Sequence, residues 1–90
     1  MHLNELAGVL KTTGDENRLK ILCTIFDAKK VCVSDIASTL HLSVAIVSHH
    51  LQTLSQQGLV TPVREGKNVC YELQKTPFVA DLKKFVCKYR

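Results

Sequence analysis

In LNELAGVLKTT the apolar positions Leu3, Leu6, Ala7 and Leu10 fall at the i, i+3, i+4, i+7 spacing of a helix with one buried face. Gly14 ends that helix, and Asp15 is a good cap for a second one through about Asp27, with the stripe Leu19, Leu22, Cys23 and Phe26. Ser34 reads as the cap of a short third helix, DIASTL. Ser43 reads as the cap of a fourth, running from Val44 to about Gln57 and stopped by Gly58. The apolar stripe of the fourth is Ile46, Val47, His50, Leu51 and Leu54. From Leu59 the period shortens: LVTPV and NVCYELQ are rich in β-branched and aromatic residues and are joined by REGKN, which predicts a β-hairpin turning at Gly66. Thr76 and Pro77 open a last helix with the apolar face Phe78, Leu82, Phe85, Val86 and Tyr89. The predicted order is ααααββα, mostly α with a small hairpin, in one domain over residues 1–90.

Composition narrows the setting. A hydrophobic fraction of 46% suits a globular chain rather than a disordered tail. No apolar run approaches the ~20 residues that cross a bilayer, so no membrane partner is expected. MHLNELAGVLK lacks the basic start and long apolar stretch of a signal peptide, which points to the cytoplasm. The net charge of +4 on 90 residues favours acidic partners, nucleic acid first. The four cysteines, Cys23, Cys32, Cys70 and Cys87, form no CxxC pair, and without an export signal they are expected as free thiols, Cys70 as packing. A chain this short has little core to spare, which makes a dimer a natural way to hide apolar area.

Two short helices joined by a tight turn and followed at once by a hairpin make a winged helix-turn-helix, in which the second helix enters the major groove. The turn is LHLS, residues 40 to 43, and its left-handed position falls at His41, where a non-glycine residue costs roughly 1 kcal/mol. The stretch SDIASTLHLSVAIVSHHLQTLSQQGLVTPVREGKNVCYEL, with LKTTGDENRLKIL before it, resembles the ArsR/SmtB family of small dimeric repressors over roughly residues 8 to 75. VSHHLQTL with GLV at its spacing is the most specific part of the likeness.

The adjacent His49 and His50 are the chemically loudest feature. Successive helical residues point ~100° apart, and His49 has no His, Cys, Asp or Glu three or four positions away, so the doublet is a poor metal site. The resemblance implies that His49 faces DNA while His50 packs beneath the helix, in keeping with the apolar phase. It implies DNA contacts for Ser48 as well, and Ser43 can offer the helix N-terminus to a phosphate. Val44 and Ala45 stand where the family often has Gln followed by Ser or Pro, so a bidentate adenine reader is replaced by a side chain suited to a thymine methyl. No Asp, Glu, Lys or Arg occurs from Thr39 to Val63, which leaves phosphate attraction chiefly to Arg64 and Lys67 on the wing. By the same resemblance the first and last helices pair with their copies in a homodimer, with Leu3, Leu6, Leu10, Phe78, Leu82, Phe85 and Tyr89 as interface candidates.

Family resemblance also implies an inducer: a metal or metalloid ion, or a redox signal such as persulfide modification. The arsenic and cadmium branch opens the third helix with Cys-Val-Cys. Here the residues are Cys32-Val33-Ser34, so half that dithiol is missing and Cys32 is a weak metal candidate. FVADLKKFVCKYR has one Asp and no His, which removes the last-helix site of the zinc and nickel branch. Cys23 and Cys87 resemble the positions of a thiol-sensing branch. No Ser/His/Asp constellation, phosphate-cradling Gly loop or complete metal triad points to an enzyme. The expected function is a homodimeric repressor that binds a palindromic double-stranded DNA operator; the alternative is a winged-helix module for protein or RNA partners without inducer sensing.

Overall fold

A computed structural model describes residues 1–90. The elements are α1 (Leu3–Thr13), α2 (Glu16–Ala28), β1 (Lys30–Cys32), α3 (Val33–Leu40), α4 (Val44–Gln56), β2 (Val60–Glu65), β3 (Asn68–Leu73) and α5 (Pro77–Tyr89). Three of the five helices, α2, α4 and α5, begin at a capping side chain. Asp15, Ser43 and Thr76 accept a bond from the backbone N–H three residues on, namely Arg18, Ile46 and Val79. The end of α4 is closed by a pair of bonds, Leu59 N–H to the Leu54 carbonyl at 3.1 Å and Gly58 N–H to Ser55 at 3.0 Å. That closure needs a left-handed residue, and Gly58 supplies it at φ +76. The tight turn after α3 uses His41 in the same region, at φ 57 and ψ 41.

One strand goes beyond the predicted order. β1 joins the hairpin to make an antiparallel sheet in the order β1-β3-β2, with Lys30 opposite Glu72, Val31 opposite Tyr71 and Cys32 opposite Cys70. Three residues carry no period of their own, so this pairing is written in β3 rather than in the strand itself. It moves the start of α3 as well: Cys32, not Ser34, is the residue ahead of the first turn. The sheet turns Val60 and Tyr71, with Val31, Val69 and Leu73, onto the core. Its other face carries a disulfide between Cys32 and Cys70. The expectation of four free thiols is therefore corrected for this pair, as is the reading of Cys70 as core packing. Cys70 is fully buried yet lies outside the main apolar cluster. Cys23 and Cys87 are the free cysteines, both half-buried against that cluster.

The core is centred on α2 and α4. Ile21, Leu22 and Ile25 of α2 meet Ile36 of α3 and Val47, Leu51 and Leu54 of α4, all with no exposed surface. Three apolar stripes read from the sequence are not buried as expected. In α1 the buried residues are Val9, Thr12 and Thr13, while Leu3 is 83% exposed and Leu10 56%. In α4, Ile46 is 47% exposed and leaves the stripe to Val47, Leu51 and Leu54. In α5 only Val79 is buried, and Phe85 and Tyr89 face outward with their rings 5.3 Å apart. Helix periodicity thus located the helices, but in α1 the buried face turns to Val9, Thr12 and Thr13, and the period did not say which faces one chain can cover. Leu54→Ala should lower the unfolding free energy by about 2–5 kcal/mol in urea denaturation, whereas Ile46→Ala should shift it by no more than about 0.5 kcal/mol.

Candidate nucleic-acid interface

The outward side of α4 is fixed by its buried side. With Val47, Leu51 and Leu54 inward, Val44, Ala45, His49 and Gln52 are exposed and Ser48 is half-buried. These positions form two neighbouring rows on a helix, Val44–Ser48–Gln52 and Ala45–His49. The first row lines a groove of about 480 Å³ whose opposite wall is the hairpin, through Arg64, Lys67, Asn68 and Val69. Ser34, in the first turn of α3, lies at its edge. The groove brings Val44 and Ser48 together with Arg64 and Lys67. It does not include Ser43, Ala45 or His49, which lie on the exposed ridge of α4.

Gln52 was missed in the sequence. It lies four residues beyond Ser48 on the same row, and an exposed amide of this kind can hydrogen-bond an adenine edge in two places. Its i, i+4 spacing from Ser48 is the signal that could have found it. Asn68 was missed for a different reason: its place at the groove follows from the hairpin register, in which it pairs with Glu65.

The N-terminus of α4 carries no acidic residue in its first turn. Ser43 Oγ accepts the Ile46 N–H at 3.1 Å, so the hydroxyl is committed to the cap. The amides of the residues just after it, Val44 and Ala45, have no partner within the helix, which leaves two donors and the positive end of the helix dipole for an anion. On the wing, Gly66 at φ +59 turns the chain between Glu65 and Asn68. Glu65 pairs with Lys30, and the hydrogen bond between them raises the pKa of the Lys30 ammonium. The other ion pairs are Lys20–Glu16 and Arg90–Asp27, so neither Arg64 nor Lys67 is engaged in one.

His50 is positioned as a support. Its Nδ1 lies 3.3 Å from Nη1 of Arg18, whose Nε donates to the Thr12 carbonyl at 2.7 Å. One guanidinium therefore ties α1, α2 and α4 together. Facing a permanent cation, Nδ1 is the acceptor of a neutral ring. Burial lowers the pKa of His50 below 6.5, the Arg18 charge lowers it further, and Asp15 opposes both. His49, by contrast, is exposed and sits 6.0 Å from the His50 ring.

The sensor and interface candidates are spread over other surfaces. Leu3, Leu10, Phe85 and Tyr89 are exposed, while Leu6, Phe78 and Leu82 are half-buried. Cys23 and Cys87 are not bonded to each other, and Arg90 spans their neighbourhood by binding Asp27, 2.5 and 3.2 Å away, and approaching the Cys23 carbonyl. The largest hollow, about 720 Å³, lies away from α4 between the end of α2 and the start of α5 and includes none of these residues. No helix is long and apolar enough to cross a membrane.

The geometry has a pH consequence. His50 binds a proton less readily in the folded chain than in the unfolded one, so its share of stability is complete above pH 6.5 and is lost as pH falls through the depressed folded value. Urea midpoints of the wild type should therefore fall between pH 7 and pH 5 by more than those of His50→Gln. Equal pH slopes would remove His50 from the support.

Comparison with known proteins bears on the family and the fold. The family model described as "Bacterial regulatory protein, arsR family" matches residues 15–61. The cadmium resistance transcriptional regulatory protein CadC of Listeria innocua is 42% identical over 66 residues, covering 73% of this chain but 56% of that protein, so the match spans little more than half the relative's length. The solved structure of HlyU from Vibrio cholerae superposes with a TM-score of 0.84 at 33% identity, over 99% of this chain and 98% of that one. HlyU carries the name transcriptional activator. The homodimeric winged helix-turn-helix DNA-binding domain of Mb0332 from Mycobacterium bovis superposes with a TM-score of 0.84 at 30% identity, over 96% and 78% of the two chains.

Proposed function

This chain belongs to the arsR family of bacterial regulatory proteins, and from that premise we propose that it is a homodimeric transcriptional repressor, held on a palindromic operator until an inducer releases it. The family is one of DNA-binding regulators rather than enzymes. The observation that carries the proposal is the groove in which Val44, Ser48 and Gln52 of α4 face Arg64 and Lys67 of the wing. Apolar and amide groups suited to base edges stand on one wall, and cations suited to phosphates on the other.

In this reading His49, Ser48 and Gln52 read base edges in the major groove, Val44 and Ala45 touch thymine methyls, and Arg64 and Lys67 hold the flanking backbone. Ser43 sets the helix terminus whose free amides meet a phosphate. The apolar faces of α1 and α5 support self-association: Leu3, Leu10, Phe85 and Tyr89 are too exposed to serve one chain's core, and Leu6, Phe78 and Leu82 continue the same helices inward. Two copies joined there would carry two α4 helices to half-sites one DNA turn apart. The site of action is the cytoplasm, where the DNA is.

Release needs an inducer that binds the DNA-competent and released states unequally. A metal or metalloid ion is one candidate class, favoured by the cadmium-resistance relative. Persulfide or disulfide chemistry at Cys23 and Cys87 is the other, favoured by two free, partly accessible thiols on α2 and α5. A second reading of direction is supported by HlyU, named an activator and matched over nearly its whole chain. The same interface would then raise transcription by binding at a different distance from the promoter.

Fluorescence anisotropy on the chain's own upstream DNA tests the interface. His49→Ala should weaken binding by about 1–3 kcal/mol with the far-ultraviolet spectrum unchanged. Four wing cations per dimer should give a log–log salt slope of about −4. Equal affinity for palindromic and scrambled duplexes, or an unaffected His49→Ala, would favour a protein- or RNA-binding module instead. Phe85→Asp should convert the dimer to monomer in sedimentation, and loss of DNA affinity should follow.

A further inference from the structure

The sheet face turned away from the core places Cys32, Cys70 and Glu65 together: Cys32 and Cys70 are opposite in register, and Glu65 stands two residues beyond Val63, the partner of Cys70 on β2. Their sulfur and carboxylate ligand atoms all lie within 4.8 Å of one another. We propose that, in its dithiol form, this trio is a binding site for a thiophilic divalent cation of the cadmium or zinc type at the root of the wing.

Three observations meet there. First, two sulfurs already in bonding contact need to part only modestly to grip one ion, since metal–sulfur bonds of about 2.3 Å hold two thiolates under 4 Å apart in a tetrahedron. Secondly, two thiolates and one carboxylate form a donor set that soft and borderline ions prefer and that magnesium or calcium do not. Thirdly, Cys70 is buried but lies outside the apolar cluster. The Cys-Val-Cys dithiol is broken in sequence because Ser34 stands at its third position. Register supplies the second thiol from the wing instead.

The chemistry balances without an unnamed partner. Two molecules of a low-molecular-weight thiol reduce the Cys32–Cys70 bond, their own sulfurs joining as a disulfide while Cys32 and Cys70 take up the two protons. The cation then displaces those protons, and Glu65 exchanges its contact with Lys30 for the ion. A fourth position stays open to water. Disulfide and metal are mutually exclusive states of one pair, and either one staples β1, which leads into α3, to the strand that carries the wing.

The site does not rest on the DNA-binding proposal, and a failure to bind DNA would leave the following result standing. Cadmium ion is titrated into the full chain after reduction and again after oxidation, following the sulfur-to-metal charge-transfer absorbance and the stoichiometry. The expected result is one ion per chain in the reduced form and none in the oxidised form. Binding should be retained in the Cys23→Ser/Cys87→Ser double variant, weakened by about tenfold in Glu65→Gln, and weakened by about 100-fold or more in Cys70→Ser, beyond the loss of an outer partner. Because the oxidised and reduced forms are the same polypeptide, the comparison survives even if Cys70→Ser fails to fold. Binding that ignores oxidation of the pair, that disappears with Cys23 and Cys87, or that is indifferent to Glu65→Gln would overturn the assignment.

Discussion

Everything on the exposed side of α4 depends on the burial of Val47, Leu51 and Leu54 against α2 and the sheet. A helix with three fully buried side chains cannot rotate without exposing them, at about 1.5–3 kcal/mol for each one brought into water. That constraint, not any property of the polar residues, decides that Ser48, His49 and Gln52 face outward. It also sets the place of His50. The ring lies at the edge of the buried side, where burial and then the Arg18 charge lower its pKa, and Arg18 also binds the carboxyl end of α1. The recognition helix is therefore fixed in rotation by apolar packing and in position by one guanidinium.

The wing is held by a different means. A two-stranded ribbon is marginal alone, and β1 makes it a three-stranded sheet whose inner face joins the core. The outer face adds the Cys32–Cys70 bond and the Lys30–Glu65 ion pair, both of which cross strands between β1 and the hairpin. Arg64 and Lys67 thus project from a stapled base rather than a free ribbon. The scarcity of charge between Thr39 and Val63 makes this placement consequential, because the cations that would meet a phosphate backbone are concentrated at the wing's end.

Much of this was legible in the sequence, for reasons that can be stated residue by residue. Caps are local chemistry, so Asp15, Ser43, Gly58 and Thr76 marked their boundaries, and the His41 turn followed from the spacing of two short helices. Long-range pairing was not legible. β1 is too short to show a period, and nothing local says that Cys32 faces Cys70 across 38 residues of chain. The same limit hid Asn68, which belongs to the groove only because the hairpin folds back against α4. Amphipathic spacing marked α1 and α5 as helices but could not say whether Leu3, Phe85 and Tyr89 are covered, since periodicity is identical for a core and for a surface awaiting a partner.

The central claim is that the α4–wing groove is the surface that meets DNA. The most direct measurement is a backbone amide NMR titration of the reduced chain with a short duplex from its own upstream region. The account predicts that the largest shifts fall at Ser43–Gln52 and at Arg64–Asn68, with little change around the hollow between α2 and α5. Shifts concentrated at that hollow, or confined to α1 and α5 with α4 undisturbed, would contradict it.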